Sequence, residues 1–170
     1  LPYFIKGPSK RRPFFLPLPG ENTIFSQSFR SSIRHYFNQE IMPGETDLTK
    51  LLKSLKPLRH PGRYVFCTLK STEGIRFEEV LFHFKEAEGP TFVFKKETAD
   101  RLRLEYSFVA TWITLTVHSS LEAVGLTAAV ATALAKEGIS CNGVAAFFHD
   151  HLFVPEKDAE KAMEVLDGLA

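Results

Sequence analysis

From residue 47 onward, apolar positions recur with two periods. Leu48, Leu51, Leu52 and Leu55 fall on one helical face. Asp47 or Thr46 can cap that helix, and Pro57 lies just beyond its end. His60-Pro61-Gly62 reads as a turn. Residues 64–69 (YVFCTL) are β-rich and too short for a helix. After a loop at 71–74, residues 79–86 (EVLFHFKE) and 91–95 (TFVFK) predict two strands joined at Glu88-Gly89-Pro90. A short helix is predicted over 97–104, capped by the polar run Lys96-Glu97-Thr98.

The second half has the cleaner pattern. Over residues 111–118, Ile113, Leu115 and Val117 point to one face, and Trp112, Thr114 and Thr116 to the other. Residues 126–137 predict a helix with Leu126, Val130 and Leu134 inward, alanines that permit close approach to a sheet, and Gly138 as its stop. Strands follow at 142–148 and 151–154, turning at His149-Asp150. Residues 157–169 form an amphipathic helix with Ala159, Ala162, Met163, Leu166 and Leu169 inward.

The order β-α-β-β-α lacks one strand of the ferredoxin-like βαββαβ unit, an α+β fold with helices on one face of an antiparallel sheet. The first half holds a similar number of strands and two helices. It can supply the missing edge strand and a second, degenerate copy. Residues 1–41 follow neither period. They carry clustered prolines, the basic run Lys10-Arg11-Arg12 and only Glu21 and Glu40 as acids. They read as an irregular N-terminal extension that can form a short helix at 28–37, and Met42-Pro43-Gly44 reads as a natural start.

Composition narrows the function classes. The 170 residues are 44% hydrophobic and 24% charged, as in soluble globular proteins. A net charge of +1 gives no global drive toward nucleic acid or membrane, and no apolar run reaches the roughly 20 residues of a spanning helix. Two cysteines, Cys67 and Cys141, fit a reducing, cytoplasmic setting without a structural disulfide. Cys67 lies in a core-like run, and Cys141 is the better candidate for reactivity. No Gly-x-Ser-x-Gly elbow, phosphate-binding glycine loop or aromatic RNA-binding run occurs, so no catalytic residue and no cofactor is expected.

The chemistry concentrates between the strand at 111–118 and the helix at 126. The first amides of a helix lack partners and carry the positive end of its dipole, so they favour an anion. Gly125 lets a ligand approach the backbone, Asn142 offers a donor and an acceptor, and Glu122 a charged acceptor. A competing arrangement is a capping box from Ser119 to Glu122, which would put Gly125 inside the helix.

Glu122-Ala123-Val124-Gly125-Leu126 and Leu134-Ala135-Lys136-Glu137-Gly138-Ile139-Ser140-Cys141-Asn142 resemble the core of an ACT domain. Over residues 47–169 the chain resembles small bacterial proteins with two ACT units in tandem. Val124 replaces the usual proline before the turn glycine, as in aspartate-kinase-type ACT domains. The resemblance implies a degenerate unit at 42–104, a better-formed unit at 105–170, and a regulatory sensor of an amino acid or similar small molecule without catalysis. It places the ligand at Ser120, Leu121, Glu122, Ala123, Val124, Gly125, Leu126 and Asn142, against a neighbouring unit. It also implies a homodimer through ACT units and a regulated enzyme in trans.

Two alternatives stand beside it. Phe147, Phe148 and Phe153 supply apolar surface for a ligand-free interaction or oligomerisation module. His149 and His151, at i and i+2, share a face and suggest a metal-dependent enzyme, but zinc needs a third or fourth ligand. His118 and His83 are available without a spacing that makes them converge, so no metal is expected.

Overall fold

Alternation along Val109–Leu115 produces the strand, β5, around which the sheet is assembled. A computed structural model describes residues 43–170, so the expectations for residues 1–41, including the helix at 28–37, lie outside the described residues. In chain order the elements are α1 (Leu48–Lys53), β1 (Pro57–Arg59), β2 (Tyr64–Thr68), a 3-10 turn (Phe77–Glu79), β3 (Val80–Lys85), β4 (Pro90–Lys95), α2 (Lys96–Arg101), β5, α3 (Leu126–Lys136), β6 (Asn142–Ala145), β7 (Asp150–Pro155) and α4 (Ala159–Asp167). Asp47 caps α1, its carboxylate accepting the Thr49 and Lys50 amides. Gly138 ends the α3 region at φ 73°, a left-handed position that suits glycine.

The strands form one antiparallel sheet in the order β3-β4-β2-β5-β7-β6, with β1 also on β5. Two ferredoxin-like arrangements overlap within it. The strands β1-β5-β7-β6, with α3 and α4, make a complete second unit whose edge strand comes from the first half of the sequence. The strands β3-β4-β2-β5, with α2, make a first unit that has a loop and a 3-10 turn where its first helix would stand. The chain thus carries two ferredoxin-like units on one continuous sheet rather than on separate sheets, with β5 common to both.

Three local differences from the sequence reading follow from the pairing. Pro57–Arg59, expected only as a helix terminator, is a strand because Leu115, Thr114 and Ile113 of β5 are open to it. The last hairpin turns at residues 146–149, where the Ala146 amide donates to the His149 carbonyl, so Asp150 already belongs to β7. Between Arg59↔Ile113 and Tyr64↔Ala110, residues 60–63 stand against 111–112, so β1 and β2 are one strand broken by a bulge.

All four helices cover the same face. Ile113 and Leu115 pack with Leu51, Leu55, Leu126, Val130, Leu134, Leu152 and Leu166. Val65, Cys67, Phe92, Phe94 and Ala99 fill the adjoining region under α2. α1, though early in sequence, therefore packs with α3 and α4. The opposite face is aromatic: Tyr64, Val93, Ala110 and Phe153 are buried among Phe66, Phe82, Phe108 and Trp112. Phe153, expected as interaction surface, is only 1% exposed because period-2 alternation in β7 sends it inward on this face. Among the described residues no helix is long and apolar enough to cross a membrane.

Phe153 has aromatic neighbours at 6.4 Å (Tyr64), 5.3 Å (Phe66) and 5.6 Å (Phe82). Phe153→Ala should lower the unfolding free energy by about 3–5 kcal/mol in urea denaturation. A loss below about 1 kcal/mol would mean that this face is not a packed core.

Candidate functional site

The segment between β5 and α3 leaves the sheet at Thr116 and passes through a turn at residues 121–122 before the helix begins. Ser119 is buried, and Ser120 anchors a tight turn. The Ser120 carbonyl accepts the Ala123 amide at 2.9 Å, and its Oγ accepts the Glu122 amide at 3.1 Å. Leu121 and Val124 are 66% and 83% exposed, whereas Ala123 packs on the helix-side core and Leu126 is buried.

α3 starts at Leu126, so the Ser119–Glu122 capping box is not its cap. Gly125 is the N-cap, in a left-handed conformation at φ 103° and with no side chain to close the helix. The first intrahelical bond runs from the Ala129 amide to the Gly125 carbonyl at 2.8 Å. The amides of Leu126, Thr127 and Ala128 therefore have no partner further back in the helix, and the dipole adds positive potential there. Leu48 of α1 closes one side: a methyl group on Gly125 would lie 3.0 Å from Leu48 Cδ2. A shallow groove of about 750 Å³ runs from Leu48 and Gly125 past Ala129 and Ala133 of α3 to Val165 and Leu169.

β6 brings Asn142 alongside. A methyl group on its neighbour Gly143 would sit 3.9 Å from Thr127 Cγ2, so the start of β6 lies against the first turn of α3. Asn142 is exposed, and its Nδ2 donates to the Phe153 carbonyl at 3.3 Å; among the described residues its Oδ1 has no donor. Residues 120–126 are thus one contiguous turn; Gly143 faces α3, whereas Asn142 pairs with Phe153 and its side chain is bonded to the Phe153 carbonyl. The sequence reading gives Gly44, Glu45 and Thr127 no part in the site and Leu48 only a place on a helical face; Met42-Pro43-Gly44 reads there as a natural start.

The histidines have other work. The Trp112 indole N–H donates to His151 Nδ1 at 3.1 Å, and Thr114 Oγ1 lies 2.9 Å from the same nitrogen. Indole only donates, so His151 Nδ1 is bare and the ring is neutral. His60, in the β1–β2 bulge, stacks on Trp112 at 3.5 Å and reaches Thr114 Oγ1 at 2.8 Å. His149 donates to the Val117 carbonyl, and His118 lies against Phe148. Among the described residues no three metal-ligating side chains converge, so His149 and His151 gain no third ligand.

Burial pushes the His60 imidazole below its ordinary value. It does the same for His151, with lesser repulsion from His149 and His60. Burial raises the Asp150 carboxyl against a bond from Ser119, and raises both free thiols, Cys67 and Cys141. Neither cysteine is activated as a nucleophile by that shift.

An ACT domain model matches residues 43–111, and a second ACT domain model matches residues 107–167. No curated protein matches the chain. Among solved structures, a Vibrio cholerae protein of unknown function, described as a possible transport protein, is 45% identical. Its match covers 71% of this chain and 93% of that one, with a TM-score of 0.64. An Agrobacterium tumefaciens protein is 21% identical over 68% of this chain and 88% of its own, with a TM-score of 0.52. The ligand-free regulatory subunit of aspartate kinase from Thermus thermophilus is 10% identical over 69% and 97%, with a TM-score of 0.51. These last two share the fold.

Gly125→Ala forces a side chain into a left-handed conformation and against Leu48, and should cost about 1–3 kcal/mol in chemical denaturation. An unchanged stability would show that the turn relaxes freely. The depressed histidines make a second prediction. Their unfolded forms bind protons first, so stability is held above about pH 6.5 and is lost as pH falls below it. His151→Gln, which keeps an acceptor for Trp112, should flatten that decline relative to the parent. Parallel curves for the two proteins would exclude His151 as a source.

Proposed function

We propose, from the premise that this chain belongs to the ACT domain family, that it is a regulatory sensor of an amino acid and performs no catalysis of its own. ACT domains are regulatory rather than catalytic modules, and two lie in tandem here. The ligand is assigned to Ser120, Leu121, Glu122, Ala123, Val124, Gly125, Leu126 and Asn142.

The observation that carries this reading is the uncapped start of α3 behind Gly125. A free α-amino acid presents a carboxylate and an ammonium group close together. Three helix amides suit the carboxylate. Asn142 Oδ1, together with the exposed Glu122 carboxylate, suits the ammonium. The unit at 105–170 holds this site. The unit at 42–104 has a loop and a 3-10 turn in place of the corresponding helix, so it offers no equivalent set of amides.

A second reading, assembly into a homodimer through the ACT units, draws on exposed apolar side chains at the same end. Leu121, Val124, Phe147 and Phe148 are 66%, 83%, 53% and 51% exposed. A partner copy would cover them and wall the ligand. A target enzyme regulated in trans completes the picture, since a sensor without chemistry must act on something else. Neither nucleic acid, membrane nor metal has a part in this reading.

Thermal unfolding with each standard amino acid at millimolar concentration tests it. One of them at about 100 times its Kd adds about 2.7 kcal/mol, a Tm rise of several degrees. Asn142→Ala should weaken that binding by about tenfold, or ~1.4 kcal/mol. No stabilisation by any amino acid would sink the sensor reading. A monomer in light scattering at all concentrations, with binding intact, would sink the homodimer.

A further inference from the structure

The candidate turn is held from outside by the residues that precede α1. Gly44 and Glu45 lie across Ser119 and Ser120. The Glu45 amide donates to the His118 carbonyl at 2.9 Å, and the Ser120 amide donates to the Glu45 carbonyl at 2.9 Å. The two strips form an isolated parallel bridge, Glu45↔Ser119.

Gly44 is what allows the approach. A methyl group there would fall 2.7 Å from Ser120 Cα and nearer still to Ser120 N and Ser119 C. Those are backbone atoms and cannot rotate aside, so closeness demands glycine here.

The same strip then folds back on itself. Glu45 Oε1 accepts the Thr46 and Asp47 amides, both at 2.9 Å, and its other oxygen meets Lys50 Nζ at 3.5 Å. These amides hold the Glu45 carboxyl below its usual range. Asp47 caps α1, and α1 sets Leu48 on Gly125. The clip therefore touches both ends of the turn: Ser119–Ser120 through Gly44 and Glu45, and Gly125 through Leu48.

We propose that residues 44–48 are the positioning element of the ligand-holding turn, and that Gly44 and Leu48 set ligand affinity without touching the ligand. This rests on the amino-acid site argued above. With its two ends fixed, the turn presents the Leu126, Thr127 and Ala128 amides in one arrangement. With the clip loosened, Ser119–Ser120 and Gly125 move independently and the donors no longer converge. Binding coupled to clip closure is reciprocal. Ligand therefore tightens the Glu45 and Ser120 bonds.

Amide exchange by NMR and ligand-dependent thermal shifts on the full chain test the proposal, using each standard amino acid in turn as probe. In Gly44→Ala without ligand, the Ser120 amide should exchange at least about tenfold faster, while Val130 and Leu134 inside α3 keep their protection. The same variant should bind the amino acid that stabilises the parent about tenfold more weakly. In the parent, that amino acid should slow exchange at Glu45 and Ser120.

Leu48→Ala supplies a second route should Gly44→Ala fail to fold. It should also weaken binding, and Leu48→Met should restore it, which a general loss of stability would not do. Unchanged affinity in Gly44→Ala or Leu48→Ala, or ligand protection confined to α3, overturns the proposal. No thermal shift in the parent with any amino acid removes the sensor reading and this proposal with it. An unaltered Ser120 exchange in Gly44→Ala removes the clip alone.

Discussion

β5 is required to satisfy both of its edges and both of its faces at once. One edge is taken by β7 from Ala110 to Leu115; the other is divided between β1 and β2. Ile113 and Leu115 are committed to the helices, while Ala110 and Trp112 are committed to the aromatic face. A one-residue slip would exchange these faces and expose the core of both units together. Buried backbone groups on such a strand have no water to fall back on, so its register is fixed by three partners. The two units are therefore one cooperative object with a common strand. The overlap of the two family matches, 43–111 and 107–167, falls at the start of that strand.

The sequence made this strand readable because Ile113, Leu115 and Val117 alternate with polar or aromatic neighbours. Leu126, Val130 and Leu134 likewise declared α3, and all three are buried. What stayed hidden was pairing between distant segments. Pro57–Arg59 is three residues long with an exposed Leu58, and it becomes a strand only through contact with residues more than fifty positions away. Alternation in β7 puts Phe153 on the face opposite the helices, and a period alone does not tell that aromatic neighbours bury it there. Nor could periodicity assign α1 to the core beneath α3 and α4, since a helical stripe names no partner.

The candidate site divides along the same line. Gly125 before an apolar helix, and Asn142 opening a strand, were visible as local chemistry. Their structural setting gives them meaning. Ser, Thr or Asp at the N-cap would occupy one helix amide and add stability. This chain has a left-handed glycine instead, and among the described residues no side chain caps the donors. Local rules broken in this way concentrate where function competes with stability. The Glu45↔Ser119 bridge had no such signature, because a single parallel bridge carries neither a period nor a turn motif.

Trp112 is the chain's one tryptophan, and it sits on β5 between His60, stacked on its ring, and His151, which accepts its indole proton. That placement gives the protein an intrinsic optical probe at the junction of β1, β5 and β7. Imidazolium accepts an electron from excited indole far more readily than neutral imidazole does. The emission of this single fluorophore therefore registers, in one signal, the protonation of two histidines and the integrity of the strand that both units share.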